Sequence, residues 1–307
     1  MSRDLCVVIV SYNTRDLLRA CLRSLAASLE RTARELDAEI TVVDNASSDG
    51  TADMVRADFP SVRLIPLMEN RGFAAANNLA VRLSDSRYVL LLNPDTEVLD
   101  DAPLALVRFM DAHPGVAVCG CRLLNPDRTF QHSCFRFPTL PMSFLDLFPL
   151  HYRLLESRLN GRYPRRWYNH SFPIDHPLGA CMMVRRQAIE QVGPLDEGFF
   201  MYCEEVDWCY RMKQAGWEIY YTPDAAVIHY GGASTGQIAG PMFVTLHRSR
   251  DRFFRKHYGP LYALAARCIL ILGMAYATWR ARRDARAGRI DEETLRRRLA
   301  TYRAAIS

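Results

Sequence analysis

Leu5-Cys6-Val7-Val8-Ile9-Val10 is an unbroken apolar, largely β-branched run that stops at the polar triplet Ser11-Tyr12-Asn13. A run without polar alternation is buried on both sides, as a strand inside a parallel sheet is. Asn13-Thr14 then offers a helix cap, and Leu17, Leu18, Cys21, Leu22 and Leu25 recur at helical spacing. The same unit repeats along the chain. Ile40 to Val43 ends at Asp44-Asn45, and the turn Ser47-Ser48-Asp49-Gly50-Thr51 leads into a short helix. Val62 to Ile65 is a third strand, followed by the turn Asn70-Arg71-Gly72 and a helix from Phe73 to Leu83. Tyr88 to Leu92 is a fourth, stopped at Asn93-Pro94-Asp95. Strands alternating with helices predict an α/β fold with a mostly parallel sheet flanked by helices.

The rest of the chain is less regular. Residues 136–175, rich in proline and aromatics, predict an excursion of loops and short helices. Gly179 to Val184 reads as a strand and Glu204 to Ala215 as a helix ended by Gly216. Ile219-Tyr220-Tyr221 and Val227-Ile228-His229 read as two short strands around Pro223-Asp224. From about Met242 the pattern is helical, with breaks expected at Gly259-Pro260 and Gly288. These patterns predict a main domain over 1–240 and a helical region over 241–307.

Composition narrows the class. A chain of 307 residues that is 49% hydrophobic and 24% charged is neither disordered nor fibrous. Its net charge of +5 is unevenly spread: residues 248–307 carry +10 and residues 1–247 carry −5. A basic C-terminal segment suits an anionic surface. The nine scattered cysteines form no C-x-x-C pair, which predicts neither a disulfide framework nor a zinc site but a reducing, cytosolic setting. A strand within five residues of the start leaves no room for a signal peptide.

Ligands of an open parallel sheet bind beyond the carboxyl ends of its strands. That edge holds Ser11-Tyr12-Asn13, Asp44-Asn45, Asn70-Arg71-Gly72 and Asn93-Pro94-Asp95. No G-x-G-x-x-G follows the first strand and no G-x-x-x-x-G-K-[ST] occurs, which argues against a dinucleotide cofactor and a P-loop. Asp95 at a strand end suits a hard divalent cation, although Asn-Pro-Asp also simply forms turns. Glu204 and Glu205 open a helix. Glu205 shares an apolar helix face with Trp208, Cys209 and Met212, so desolvation raises its pKa towards the range of a general base. Acidic residues also favour any first helical turn. Asp207 and Arg211 form an i,i+4 ion pair. His229 ends a strand before Gly231-Gly232, which suits a structural histidine as well as a metal ligand.

Taken together, these segments resemble the family 2 glycosyltransferases of GT-A fold, in particular their bacterial rhamnosyltransferase-like branch. The resemblance runs over residues 5–232. It rests on Val8 to Asn13, Val42 to Gly50, Asn70 to Asn78, Leu91 to Asp95, Gly179 to Arg185, Phe199 to Trp208, and His229, in family order. It implies an inverting enzyme that moves a sugar from a nucleotide diphosphate donor. Ser11, Tyr12 and Asn13 would line the nucleotide pocket, with Asp44-Asn45 at its base or ribose and Arg71, Gly72 and Asn77 nearby. Asn93-Pro94-Asp95 matches the D-x-D motif, with Asn in the first place, and Asp95 and His229 would hold Mg²⁺ or Mn²⁺. Gly179-Ala180 would border the donor sugar. Glu205 would be the general base, with Glu204, Asp207 and Trp208 on the acceptor side. The resemblance favours dTDP-rhamnose as donor and a glycan or polyprenyl-linked acceptor of cell-surface polysaccharide. A nucleotidyltransferase and a non-catalytic nucleotide-sugar scaffold are the alternatives. The first lacks its Gly-rich basic loop, and the second has no need of a base and metal ligands together.

Leu261 to Trp279 is mostly apolar, and as a helix at about 1.5 Å per residue it nearly matches a ~30 Å hydrocarbon core. Arg267 interrupts it, and Arg252, Arg255 and Lys256 before and Arg280, Arg282 and Arg283 after flank it. This favours a helix lying at an anionic membrane surface, hence a peripheral protein on the inner face of the cell membrane, with a membrane-spanning helix and a helix packed on the catalytic domain as the alternatives. No RNA-binding motif accompanies the basic residues, so no nucleic-acid partner is expected.

Overall fold

The computed structural model describes residues 3–148, 150–231 and 239–307; Gly232, of the Gly231-Gly232 pair after His229, lies outside them. In chain order the elements are β1 (Leu5–Ser11), α1 (Arg15–Thr32), β2 (Ala38–Asp44), α2 (Thr51–Asp58), β3 (Arg63–Pro66), α3 (Gly72–Arg82), β4 (Tyr88–Leu92), β5 (Thr96–Val98), α4 (Ala102–Ala112) and β6 (Val116–Leu124). They continue with β7 (Phe130–Gln131), β8 (Cys134–Phe135), α5 (Leu140–Leu147), α6 (Tyr152–Leu155), β9 (Phe172–Pro173), β10 (His176–Pro177), β11 (Cys181–Arg185) and α7 (Arg186–Val192). The last are α8 (Glu204–Gln214), β12 (Glu218–His229), α9 (Ala239–His257), α10 (Pro260–Arg286) and α11 (Glu292–Ile306).

The chain divides into two compact units. The first comprises Met1–Arg136, Tyr163–Phe200 and Glu204–Ser234, the second Phe137–Arg162, Met201–Cys203 and Thr235–Ser307. The excursion predicted over 136–175 is thus shared between them.

The first unit is built on a sheet of order β3-β2-β1-β4-β11-β6-β12-β5. β3, β2, β1 and β4 are mutually parallel, β11 is antiparallel to both β4 and β6, and β6 is parallel to β12. Six of these eight strands therefore run one way, and only β11 and the edge strand β5 oppose them. Every residue of β1 and β4 is buried, as the unbroken apolar runs require. The two strands predicted over 219–229 are one long strand, β12, whose register slips between Thr222 and Ala226. Pro223 lacks an N–H for the ladder, so the strand bulges there instead of ending. The expected cap of α1 also differs. Thr14 Oγ1 pairs with Ser11 Oγ at 2.8 Å, and Asp49 Oδ2 accepts the Arg15 N–H at 2.9 Å. The acid that caps α1 thus comes from the loop after β2.

The second unit packs α10 against α5, α9 and α11. Gly259 and Gly288, both with left-handed backbone (φ +88° and +68°), separate these helices where breaks were expected. Gly273 lets α10 approach α5: a Cβ there would lie 2.8 Å from the Leu147 side chain.

Candidate active site

Strand ends β1, β2 and β4 form one polar edge of the first unit, with each loop pinned by its neighbours. Asn13 sits at φ +52°. Its N–H donates to Ser47 Oγ at 2.9 Å, and its Oδ1 accepts the Ser48 N–H at 2.8 Å. Asp44 is buried and accepts the Ser47 N–H at 3.3 Å. Asn45 holds the next turn: its Nδ2 donates to Asn70 Oδ1 at 2.9 Å and its Oδ1 accepts the Arg71 N–H at 2.9 Å. Gly72 has φ +80°, and a Cβ there would meet the Phe200 carbonyl oxygen at 2.4 Å. That carbonyl accepts the Phe73 N–H at 2.8 Å. The turn before α3 is thereby docked on the segment leading to α8. Tyr12 is half-buried and the Arg71 side chain is exposed beside Glu69 at 3.5 Å. Asn77 is buried; its Nδ2 donates to Phe73 O while its Oδ1 has no hydrogen-bond partner among the described residues.

The end of β4 carries the acidic centre. The Asn93 N–H donates to Ala180 O at 2.9 Å, which sets Gly179-Ala180 beside the Asn93-Pro94-Asp95 turn. A Cβ at Gly179 would lie 3.8 Å from Glu205 Cγ. Asn93 is thus bonded to a segment whose preceding residue, Gly179, lies beside Glu205. Asp95 is buried, its carbonyl accepting the Tyr230 N–H at 2.9 Å, and its Oδ1 lies 3.6 Å from His229 Nε2. Gln131 sets the orientation of that imidazole. Its Nε2 donates to Asn125 Oδ1 at 3.0 Å and to His229 O at 3.2 Å, which leaves its Oε1 to accept from His229 Nδ1 at 2.8 Å. Nδ1 then carries the proton and Nε2 aims a lone pair at Asp95. Burial pushes the His229 pKa down, against a smaller upward pull from Asp95. Two acceptor atoms, one neutral and one anionic, therefore face each other. That donor pair fits a hard cation between them. Among the described residues no cluster of three or more His, Cys, Asp or Glu that could hold a metal ion exists.

Glu204 and Glu205 open α8 after two left-handed residues, Tyr202 (φ +67°) and Cys203 (φ +66°). Burial pushes the Glu205 carboxyl up to about 7, against a downward pull from its own and the Val206 backbone N–H. Burial, and then the Glu205 charge, also raise the Glu204 carboxyl well above its ordinary range. One carboxylate oxygen on each residue is buried without a hydrogen-bond partner among the described residues. An orphaned, desolvated carboxylate is costly in a resting fold and is what proton abstraction needs.

A family model described as "Glycosyl transferase family 2" matches residues 6–193. The chain belongs to this family. It is 28% identical over 281 residues to the N-acetylglucosaminyl-diphospho-decaprenol L-rhamnosyltransferase of Mycobacterium tuberculosis, covering 84% of this chain and 87% of the relative. It is 27% identical to rhamnosyltransferase WbbL of Escherichia coli, over 73% of this chain and 82% of the relative. A third relative is the dTDP-rhamnosyl transferase RfbF of Shigella flexneri, 23% identical over 83% of this chain and 78% of the relative. Two solved structures share the fold at 17% identity. GalNAc-T7 with UDP, GalNAc and Mn²⁺ aligns with a TM-score of 0.55 over 82% of this chain and 50% of its own. The mannosyltransferase PcManGT of Pyrobaculum calidifontis with GDP-Man and Mn²⁺ aligns at 0.54 over 99% and 86%. The GT-A expectation is thus met at the level of fold.

Within this family 2 glycosyltransferase two residues expected on the acceptor side are buried and bonded to nearby protein groups. Asp207 is 0% exposed, and its Oδ2 accepts from Arg211 Nε at 2.8 Å, while the other guanidinium nitrogens donate to Val192 O and Pro194 O. Trp208 is 1% exposed and donates its indole N–H to Gly193 O at 2.9 Å. The indole of Trp208 is thereby turned onto the loop after α7. Ser11, expected in the nucleotide pocket, is fully buried with its hydroxyl paired to Thr14. Gln131 was missed by sequence reasoning. It lies in a two-residue strand, too short for any period to show.

Proposed function

We propose that this chain is an inverting, metal-assisted hexosyltransferase that moves rhamnose from dTDP-rhamnose to a polyprenyl-diphosphate-linked sugar. The observation that carries the reading is Glu205: a desolvated carboxylate with an unpartnered oxygen beside Gly179, linked through Ala180 to the turn that bears Asp95. The names of the M. tuberculosis and S. flexneri relatives support the acceptor and donor classes. The solved likenesses crystallised with Mn²⁺ support a divalent ion.

In this reading Asp95 Oδ1 and His229 Nε2 would hold the cation, which would supply charge neutralisation for the leaving diphosphate. Gln131 keeps Nε2 free for that task. The loops of Asn13, Asp44, Asn45 and Arg71 line the nucleotide end, and the missing side chain of Gly179 leaves room for the sugar. Glu205 accepts the proton of the acceptor hydroxyl as its oxygen attacks the anomeric carbon, and the bond from that carbon to the diphosphate oxygen breaks on the opposite side. One displacement gives one inversion. The enzyme acts at the cytosolic side of the cell membrane, where such a lipid-linked acceptor is presented.

A thermal-shift panel of nucleotide sugars, with and without Mn²⁺, tests the reading. Binding only to the fold raises the melting temperature in proportion to RT ln(1 + [L]/Kd). dTDP-rhamnose with Mn²⁺ is expected to give the largest rise. A panel in which no nucleotide sugar shifts the transition overturns the proposal.

A further inference from the structure

Helix α10 is apolar on two opposite sides. Ala263, Ala266, Gly273, Met274 and Ala281 are buried, on the side that meets α5, α9 and α11. Leu261, Leu264, Ile271, Leu272, Tyr276 and Trp279 are exposed, Leu261 by 81% and Leu272 by 62%. At about 100° per residue the two sets fall on opposite sides of the helix, and the exposed one forms a stripe ~27 Å long.

Arg267 does not interrupt that stripe. Its Nη2 donates to Ile306 O at 3.0 Å, which turns the charge towards the carboxyl end of α11, where a cation is favoured. The stripe ends in an aromatic and basic cluster. The Arg283 guanidinium lies 5.0 Å from the Trp279 ring centroid and that of Arg280 5.9 Å from Tyr276. Tyr276 also meets Phe148 at 5.5 Å, which stacks on Phe144 at 4.7 Å. Arg282 and Arg286 are exposed in the next turn. Amphipathic rings with arginines above them are the composition of a membrane–water boundary.

We propose that the exposed side of α10 docks in the plane of an anionic lipid bilayer, its arginines on lipid phosphates and the leucines and Trp279 below them. A spanning arrangement would draw α11, with exposed Arg296, Arg297 and Arg298, into hydrocarbon at high cost. Pairing with a second copy would bring this strongly basic region, +10 over residues 248–307, against its own like charge. A bilayer bearing anionic headgroups supplies the opposite sign. The inference deepens the lipid-linked acceptor reading but rests on the surface of the second unit, not on the chemistry of the first.

The test is co-sedimentation of the full chain with vesicles of phosphatidylcholine alone or mixed equally with phosphatidylglycerol. Binding is expected only to the mixed vesicles, with a blue shift of indole fluorescence that Trp279→Phe removes. The double variant Leu264→Glu with Leu272→Glu is expected to bind about tenfold or more weakly, while keeping wild-type circular dichroism and any nucleotide-sugar thermal shift. Equal binding by wild type and double variant overturns the proposal, as does no binding by wild type. A wild-type dimer that the double variant dissolves in light scattering also overturns it, since the stripe would then join two copies. Binding to mixed vesicles by a chain that no nucleotide sugar stabilises upholds the docking and sinks the transferase reading alone.

Discussion

Gln131 Oε1 lies 2.8 Å from His229 Nδ1, and with both Gln131 N–H donors engaged, one imidazole tautomer remains. Partners of this kind orient metal-binding histidines, and their loss weakens affinity by about 10–100-fold. Gln131→Leu removes the acceptor, so Mn²⁺ binding measured by calorimetry or by the free-ion paramagnetic signal is expected to weaken by roughly that factor. Gln131→Glu keeps an acceptor and should bind Mn²⁺ at least as well as wild type. Unchanged Mn²⁺ affinity in the leucine variant would show that the imidazole needs no such partner.

Glu205 couples activity and stability with opposite signs. Its carboxyl is pushed up to about 7 by burial. As a base it works only when ionised, so kcat/KM should fall about tenfold per pH unit below ~7 and level off above it. For stability, a carboxyl whose folded pKa is raised contributes most below its ordinary pKa, and that contribution is lost as pH rises through about 7. Glu205→Gln should therefore lose transfer by about 100-fold or more, yet melt about 2–4 °C higher near pH 8, with no gain in acid. Donor binding should survive in the same variant. A Gln variant that turns over normally removes Glu205 as base, whatever its melting temperature does.

Asp207 tests whether α8 holds an acceptor contact or a buried ion pair beside its base. It is fully buried and ion-paired at 2.8 Å with Arg211. Removing one member of a buried pair leaves the other charge uncompensated, at about 3–5 kcal/mol. Asp207→Ala should thus lower the denaturation midpoint steeply, with any activity loss following the folded fraction. A variant of normal stability with a raised acceptor KM would instead return Asp207 to the acceptor site.

What could be read in the sequence, and what could not, follows from how local each cause is. β1 and β4 were legible because full burial on both sides writes an unbroken apolar run, and β12 because Tyr220, Tyr221, Val227 and Ile228 favour strand. Its continuity through Pro223 was not legible, because a bulge depends on the partner β6, over a hundred residues upstream. The cap of α1 failed for the same reason: Asp49 reaches it through tertiary structure while Thr14 turns to Ser11. At the site, Asp95 and His229 could be placed on strand ends, but their 3.6 Å approach depends on β5 pairing antiparallel with β12. Trp208 shares the sequence neighbourhood of Glu205 yet bonds to the loop after α7, a distinction that only the rotation of α8 makes.

Gly179 offers the sharpest test of the sugar subsite. It has no positive φ, and a Cβ there would sit 3.8–4.0 Å from Glu205 Cβ, Cγ and Cδ, an ordinary contact distance. Gly179→Ala should therefore fold normally, shifting the melting temperature by no more than about 2 °C. The added methyl nonetheless occupies space beside the base, where the reading puts the transferred sugar. A misplacement of about 1 Å at a reacting centre can lower rate by about 100-fold. Gly179→Ala should lower kcat with little change in dTDP binding, and Gly179→Val should abolish transfer while still binding the free nucleotide. If both variants transfer at the wild-type rate, the sugar lies elsewhere, and Glu205 loses the neighbour that ties it to the Asp95 edge.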